Sequence, residues 1–179
     1  MRRLAFLITL ALAMPSATAS ANLDRLIAPP RACPGQNRLG APVRAQERTM
    51  RCMTNFARGR AGKPALAADR LLDRSARFKS RDMLRCDEFD HEACGRDFTF
   101  WIRRVGYLHG ACWQAAENIA LGTGPYGTVR AIFRGWAHSP GHLHNILGPS
   151  QDLGVGLQIG NLAGYRGAHV WTQHFGARC

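Results

Sequence analysis

The chain has 179 residues, a formal net charge of +12 at pH 7 and 46% hydrophobic residues, which favours one globular domain with a workable core. The positive charge favours contact with anionic surfaces such as lipid head groups or cell-wall polymers. Nucleic-acid binding is excluded, because all basic residues except Lys63 and Lys79 are arginines that are scattered rather than clustered with aromatic side chains.

The first 21 residues have the pattern of a secretory signal peptide. Arg2 and Arg3 form a charged start, residues 4–14 are apolar, and the small residues up to Ala21 fit a cleavage site. A membrane anchor is the alternative, which the shortness of the apolar run disfavours. No second apolar run of spanning length follows. We therefore expect a soluble monomer without a transmembrane segment, either secreted or periplasmic.

The six cysteines all follow the predicted signal peptide, and an even number in an exported chain is typical of three disulfides. Sequence alone does not choose among the pairings that six cysteines allow. Closeness along the chain favours Cys33–Cys52 and Cys86–Cys94, which leaves Cys112–Cys179. A zinc site at Cys86 and Cys94 is the alternative, and it is disfavoured because no second close cysteine pair has ligand spacing.

Residues 22–46 contain several prolines and glycines without a period, so we predict an irregular arm tied down through Cys33, ahead of a domain over residues 47–179. Apolar spacing then predicts a series of helices and strands. The predicted helices cover residues 45–60, 67–84, 98–105 and 128–137, with a further short helix after Ser139. The predicted strands cover residues 115–121, 153–160 and 169–176. This order indicates an α+β domain around a small antiparallel sheet.

A histidine in an unusual position marks residues 136–147. Ser139 and Pro140 form a typical helix start, with serine as N-cap and proline at the first helical position, so His142 falls in the first turn. The helix dipole there disfavours added positive charge. We therefore expect a neutral His142, the form that ligates metals or acts as a base. The alternative is a packed, hydrogen-bonded histidine.

A carboxylate within an apolar strand marks the second candidate position. Glu117 shares its strand face with Ala115, Ile119 and Leu121. Burying an ionised carboxylate is costly unless it is paired, so we expect a histidine, an arginine or a metal as its partner. The alternative is an edge strand whose face is exposed to solvent. His91 lies in a polar loop beside two carboxylates and is a further candidate. The alternative is that His91 is simply exposed to solvent.

Several ordered motifs resemble the cysteine-rich secretory protein, antigen 5 and pathogenesis-related superfamily in its bacterial, SCP-like form. The resemblance covers residues 33–176. The motifs are Cys52-Met-Thr-Asn55-Phe-Ala-Arg58, Arg81-Asp82-Met83, Phe89-Asp90-His91, Glu117-Asn118-Ile119-Ala120, residues 136–147, Gly154-Val155-Gly156 and Trp171-Thr172-Gln173-His174-Phe175-Gly176.

The resemblance implies a three-layer α-β-α sandwich whose cleft holds two histidines and two acidic residues. His91, Glu117 and His142 carry over to this chain. The fourth position is a glutamate in animal and plant relatives and is Ser139 here, as is common in bacterial relatives. That departure weakens any mechanism that needs two carboxylates.

Two histidines and one carboxylate would suit a divalent cation such as zinc, with His91, Glu117 and His142 as ligands and water completing the shell. Our first hypothesis is a non-catalytic binding domain with a weak cation site and a lipid or cell-envelope ligand. The second is a metal-assisted hydrolase of peptides or cell-wall material, with metal-activated water or Glu117 as base. The third is a basic scaffold that contacts host or envelope surfaces.

Catalysis by Ser139 is less attractive than any of these hypotheses. The Ser139 hydroxyl is better explained as a helix cap, and no third group is evident that would orient the His142 imidazole as a base. We therefore favour a protein that is not an enzyme.

Overall fold

The computed structural model describes residues 23–110 and 112–178, so the predicted signal peptide over residues 1–21 lies outside the described residues. Its helices are α1 (Val43–Arg60), α2 (Arg70–Cys86), α3 (Phe100–Arg104), α4 (Val129–Ala137) and α5 (Pro140–Leu147). Its strands are β1 (Ala67–Ala68), β2 (Trp113–Gly122), β3 (Asp152–Leu162) and β4 (Tyr165–Arg178). Short 3-10 turns lie at Ala93–Gly95 and Gly124–Gly127.

The strands form one sheet in the order β1-β3-β4-β2, and helices cover both of its faces. Helix α2 packs on β3 and β4, while α1, α4 and α5 enclose the main core on the other face. This arrangement confirms the predicted α-β-α sandwich. The β3–β4 and β2–β4 pairs are antiparallel as expected, but β1 pairs with β3 in parallel.

The short strand β1 explains why the second helix begins later than residue 67. Ala67 and Ala68 pair with the start of β3, so they are extended. Asp69 then caps α2, because its Oδ1 accepts hydrogen bonds from the backbone N–H groups of Leu71 (2.8 Å) and Leu72 (2.9 Å). An apolar period alone could not distinguish two strand residues from the first half-turn of a helix.

Two glycines in β3 bring α2 unusually close to the sheet. A Cβ atom at Gly154 would overlap the backbone of Leu72, and one at Gly156 would overlap that of Ala76. The close approach lets small polar side chains of α2 reach β4, where the Ser80 hydroxyl lies 2.9 Å from the Thr172 hydroxyl. Side chains buried between α2 and β4 are therefore in hydrogen-bonding contact.

The free edge of β3 beyond β1 is closed by carboxylates from the helices. The N–H of Val155 donates to Asp73 Oδ1 (2.9 Å), and the N–H of Leu157 donates to Glu47 Oε1 (3.2 Å). Arg77 holds Glu47 in place with two bonds of 2.8 and 2.7 Å. Because these strand donors are occupied, this part of the edge cannot pair with another chain.

Disulfides fix both the N-terminal arm and the loop that carries His91. The predicted pairs Cys33–Cys52 and Cys86–Cys94 are present, so Cys86 and Cys94 are not zinc ligands. Cys112 is also disulfide-bonded, whereas its predicted partner, Cys179, lies outside the described residues. The arm is not a loose appendage, since Leu26, Ile27 and Ala28 are buried in the main core.

Within residues 23–110 and 112–178, no helix combines the length and the apolar character needed to cross a membrane.

Candidate functional site

Glu117 lies in the middle of β2, and its side chain is only 1% exposed. Its Oε1 lies 2.7 Å from His91 Nδ1, and its Oε2 lies 2.8 Å from His174 Nε2. A carboxylate has only acceptors, so both imidazoles donate to it. The partner expected from the sequence is thus a pair of histidines, one on each oxygen.

His174 is the functional residue that sequence reasoning missed. It lies directly opposite Glu117 in the β2–β4 register and is fully buried. The signal was the alternation in β4, which places Thr172 and His174 on the face opposite Trp171 and Phe175. A histidine at an inward position of a central strand needs a polar partner, but only the strand register identifies that partner as Glu117.

A serine of α2 extends this network into the protein. Ser75 Oγ lies 2.7 Å from His174 Nδ1 and 2.9 Å from the carbonyl oxygen of Leu72. The hydroxyl carries one proton, so it can donate to only one of these two groups. We call the four linked side chains His91, Glu117, His174 and Ser75 the buried polar chain.

The two histidines keep Glu117 ionised. Burial by itself would raise the pKa of Glu117, but the hydrogen bonds from His174 and His91 outweigh burial and leave the pKa below its usual value of 4.5. A carboxylate with a lowered pKa and both oxygens occupied is a poor proton acceptor. Glu117 therefore does not suit the role of general base.

His91 forms the solvent-facing end of the buried polar chain, with a side chain that is 52% exposed. The Glu117 hydrogen bond raises its pKa above 6.5, against the opposing effects of partial burial and of the Lys79 charge. Lys79 also donates to the backbone carbonyl of His91 (2.6 Å), and the Cys86–Cys94 disulfide closes the loop. Since Nδ1 is bound to Glu117, Nε2 is the nitrogen that remains for a ligand.

His142 is half-buried in the first turn of α5, and within the described part of the chain its buried Nδ1 has no hydrogen-bond partner. Burial lowers the pKa of His142, and the charge of nearby His91 lowers it further. The sequence interpretation also favoured a neutral His142, but it attributed this to the helix dipole rather than to burial and His91. Asn118 anchors the turn by donating to the His142 carbonyl (3.2 Å).

Ser139 differs from its expected role. It occupies the N-cap position of α5 with an extended backbone, yet its hydroxyl makes no capping hydrogen bond. The prediction that this hydroxyl caps the helix is therefore wrong, and the hydroxyl lines a cavity together with His142. A serine nucleophile still lacks support, because within the described residues nothing hydrogen-bonds to His142 Nδ1 and orients the ring.

The cavity beside His142 has a volume of about 410 Å³ and is mostly apolar. Phe89 and Tyr126 form part of its rim, with 43% and 76% of their surface exposed. Ser139 and His142 supply polar atoms, while the remaining wall comes mainly from apolar residues: Ile119, Ala120, Leu121, Ala131, Ile132 and Trp136. We call this space the His142 cavity. A ligand with an apolar body and a polar group could therefore bind both parts of this wall.

A metal site built from all three expected ligands does not fit this geometry. No group of three or more His, Cys, Asp or Glu side chains among residues 23–110 and 112–178 is arranged to hold a metal ion. Both oxygens of Glu117 are already bonded to histidines, which leaves His91 Nε2 and the His142 imidazole as direct ligands. Glu117 instead stands behind His91, where it orients the ring.

Comparison with known sequences shows a family and a curated relative. The model of the cysteine-rich secretory protein (CAP) family matches residues 52–175. The uncharacterised protein YkwD of Bacillus subtilis is 33% identical over 136 residues, which cover 74% of this chain and 48% of that protein. The chain thus spans about half the length of this relative.

Three solved bacterial structures share the fold. An extracellular SCP-domain protein from Bacillus anthracis has a TM-score of 0.58 and 26% identity. The matched region covers 74% of this chain and 40% of the Bacillus anthracis chain. An outer surface protein from Borrelia burgdorferi has a TM-score of 0.64 at 13% identity, with coverage of 78% and 97%. A cysteine-rich secretory protein from Staphylococcus aureus has a TM-score of 0.60 at 15% identity, with coverage of 78% and 40%.

Proposed function

Because the chain belongs to the cysteine-rich secretory protein (CAP) family, we propose that it is an exported, non-catalytic binding domain whose His142 cavity takes a lipid or another cell-envelope component. The apolar wall binds the apolar body of the ligand. His142 and Ser139 face its polar group, and His91 is near enough to act electrostatically on His142. Export is supported by the signal-like first 21 residues and by the extracellular or surface descriptions of the structural relatives.

The observation that carries this proposal is the double engagement of Glu117. Its oxygens accept from His91 and His174, so the Glu117 carboxylate holds histidines in place instead of accepting a substrate proton. The second acidic position is Ser139. A cleft without an available carboxylate base suits binding better than hydrolysis.

A divalent cation is a secondary part of the proposal. His91 Nε2 and the His142 imidazole would hold it, with the Glu117 carboxylate behind His91 as in many histidine metal sites. A bound cation would attract an anionic head group of the ligand. Two protein ligands are fewer than the three or four of established zinc sites, so we expect weak binding.

The cation site can be tested by titrating the protein calorimetrically with zinc chloride. We expect weak, saturable heat that is lost in His91→Ala and in His142→Ala. His109→Ala, which removes an exposed histidine outside the cleft, is the control and should leave the heat unchanged. Equal heats from all four proteins would remove the cation from the proposal. The proposed binding of a ligand in the apolar cavity would not be affected.

The apolar cavity can be tested with the fluorescent fatty acid cis-parinaric acid and the variant Gly135→Leu. Gly135 lines the His142 cavity, and a Cβ there meets no atom within 4 Å, so we expect the leucine to reduce the space in the cavity without a clash at its Cβ. Gly59→Leu, at an equally open helical position outside this cavity, is the matched control. We expect binding to be lost in Gly135→Leu only; equal binding by all three proteins would contradict the proposal.

The hydrolase hypothesis predicts a different result. Metal-dependent turnover of peptide or peptidoglycan fragments that disappears in Glu117→Gln would replace the binding proposal by an enzyme. Because Glu117→Gln also changes the partners of His91 and His174, its folding must be compared with the wild type by circular dichroism. Absence of turnover in the folded wild type, together with retained lipid, would support the binding domain.

A further inference from the structure

A second cavity lies on the other side of α5 from the His142 cavity. Its volume is about 820 Å³, and α5 contributes Leu143, His144 and Leu147 to its lining. The end of α1 and the loop after it contribute Arg58, Lys63 and Pro64. We call this space the Arg58 groove. It shares no lining residue with the His142 cavity.

Arg58 is buried beneath this groove without a negative counter-charge. It is 1% exposed, and none of the ion pairs within the described residues involves it. Arg77 provides a contrast, because its guanidinium binds the Glu47 carboxylate through two nitrogens. Burying an unpaired charge is costly, so other groups must stabilise the Arg58 cation.

Backbone carbonyls provide that stabilisation. Arg58 Nε donates to the Pro64 carbonyl (2.7 Å), and Nη1 donates to those of Ile146 and Gly148 (both 2.9 Å). Nη2 makes a longer bond of 3.5 Å to the Ser150 carbonyl. These dipoles, including the negative end of α5, satisfy the donors but do not cancel the charge. A net positive field therefore remains at the groove.

The rest of the lining increases this field. Lys63 and His144 bring further nitrogen groups to the groove, and no aspartate or glutamate lines it. In the described part of the chain, neither the Lys63 amine nor the His144 imidazole has a hydrogen-bond partner or an ion pair. Asn55 holds the loop in position through two bonds to the backbone of Leu66, of 3.0 and 2.9 Å. The loop backbone next to Lys63 is thus held in place, and the Lys63 and His144 side chains lie at the groove.

We propose that the Arg58 groove is a binding site for a small organic anion with an apolar body, such as a carboxylate next to a branched aliphatic group. Lys63 and His144 donate to the anion, and Arg58 attracts it through its uncompensated charge. Pro64, Leu143 and Leu147 pack against the apolar body. The volume lies in the range of small-ligand sites, which is roughly 300–1,000 Å³. This site is independent of the proposed function of the His142 cavity.

The test is an NMR titration of the labelled full chain with N-acetyl-leucine and with its neutral isostere N-acetyl-leucinamide. We expect N-acetyl-leucine to shift the backbone amides of Lys63, His144 and Leu147 in a saturable manner. The amide, which has the same apolar body without the charge, should shift them far less. Added sodium chloride should weaken binding of the anion, because salt screens the attraction.

Matched charge variants show whether the groove, rather than the net charge, is responsible. Lys63→Gln should weaken N-acetyl-leucine binding about threefold, and Lys63→Gln with His144→Gln should weaken it about tenfold. Arg60→Gln removes the same charge close by but outside the groove lining, so it should leave affinity nearly unchanged. None of these changes touches Arg58 or the core.

Three outcomes would overturn the proposal. The first is equal binding of N-acetyl-leucine and N-acetyl-leucinamide, and the second is an equal loss of affinity in Lys63→Gln and Arg60→Gln. The third is the absence of saturable shifts at the groove, including the case where shifts appear only at the His142 cavity. That last result would leave the proposed function standing while removing the second site.

Discussion

Arg58 and Glu117 are both buried charges, yet the chain stabilises them in opposite ways. Glu117 is paired with two ionisable partners, His91 and His174, through bonds of 2.7 and 2.8 Å. Arg58 has four backbone carbonyls and no charged partner. The first arrangement contains groups with shifted pKa values, lowered for Glu117 and raised for His91, whereas the carbonyls around Arg58 do not titrate. The contrast separates a pH-sensitive site from a permanently positive one.

The largest effect is expected from Arg58→Met, which removes the donors to four backbone carbonyls, that of Ile146 in a fully buried bond. Charge-assisted hydrogen bonds of this kind are each worth more than neutral ones, so we expect a loss of about 4 kcal/mol in the free energy of unfolding. Urea denaturation at neutral pH measures it. Arg60 lies two residues after Arg58 in α1 and is exposed. Arg60→Met should therefore change the free energy of unfolding by less than about 0.5 kcal/mol.

The next effect is expected from His174→Phe, which leaves Oε2 of buried Glu117 without a donor. We expect a loss of about 3 kcal/mol in the free energy of unfolding, and His174→Gln should recover part of it because the amide can still donate. The same urea denaturation measures both variants. If His174→Phe were as stable as the wild type, the Glu117–His174 bond would contribute nothing and the comparison with Arg58 would fail.

The pH dependence of stability distinguishes the two buried charges further. The pKa of Glu117 is lowered in the folded protein, so its contribution is fully present above its unfolded pKa of about 4.5 and is lost as pH falls through the folded value. Urea denaturation between about pH 3 and pH 6 should show this loss in the wild type. Glu117→Gln should flatten that part of the profile, whereas Arg58→Met should leave its slope unchanged.

A smaller effect is expected from Ser75→Ala, at the inner end of the buried polar chain. The change removes the 2.7 Å bond to His174 Nδ1 and the 2.9 Å contact with the Leu72 carbonyl, so we expect a loss of about 1 kcal/mol in the free energy of unfolding. Ser80→Ala is a matched control, since it also removes a buried hydroxyl of α2 but one that contacts Thr172. NMR measures the order of the His174 ring in both variants. A larger loss of ring order in Ser75→Ala than in Ser80→Ala would show that Ser75 belongs to the buried polar chain.

The smallest effects concern the two cleft histidines, whose pKa values shift in opposite directions. His91 should titrate above 6.5 because it donates to Glu117, and His142 should titrate below 6.5 because of burial and the His91 charge. NMR titration of the ring protons measures both. His91→Ala removes one cause of the His142 shift, so the pKa of His142 should rise towards 6.5; an unchanged value would show that His91 does not act on it.

These shifts also determine the sign of two small stability effects. His91 has a raised folded pKa, so its contribution is present below about pH 6.5 and is lost as pH rises through the folded value. His142 has a lowered folded pKa, so it costs stability as pH falls below about 6.5. Because the His91 side chain is half-exposed, solvent screening limits its contribution to a few tenths of a kcal/mol.

Much of this architecture could be predicted from the residues themselves. The periods of α1 and α4 identified those helices within about two residues, since an amphipathic helix repeats its apolar residues every 3.6 positions. The alternation over residues 153–160 identified β3 in the same way. Two disulfides followed from proximity along the chain. In each case the deciding interactions join residues that are close in the sequence, so the sequence pattern alone predicts them.

The energetic requirement at Glu117 was likewise visible in the sequence, because a carboxylate on an apolar strand face needs a partner wherever the strand lies. Which partner it has was decided by tertiary structure. His174 reaches Glu117 through the β2–β4 register, and Ser75 reaches His174 because Gly154 and Gly156 bring α2 close to the sheet. Ser139 likewise has the sequence of an N-cap without making the bond.

The sequence by itself thus determined the family, the main helices and strands and the need for compensation at Glu117, because these follow from local periodicity and from the cost of burying charge. Only the tertiary structure decided that Glu117 is held by His91 and His174 and that Arg58 is held by the carbonyls of Ile146, Gly148 and Ser150 in addition to that of nearby Pro64. Both outcomes depend on contacts between residues far apart in the chain, for which no local pattern exists.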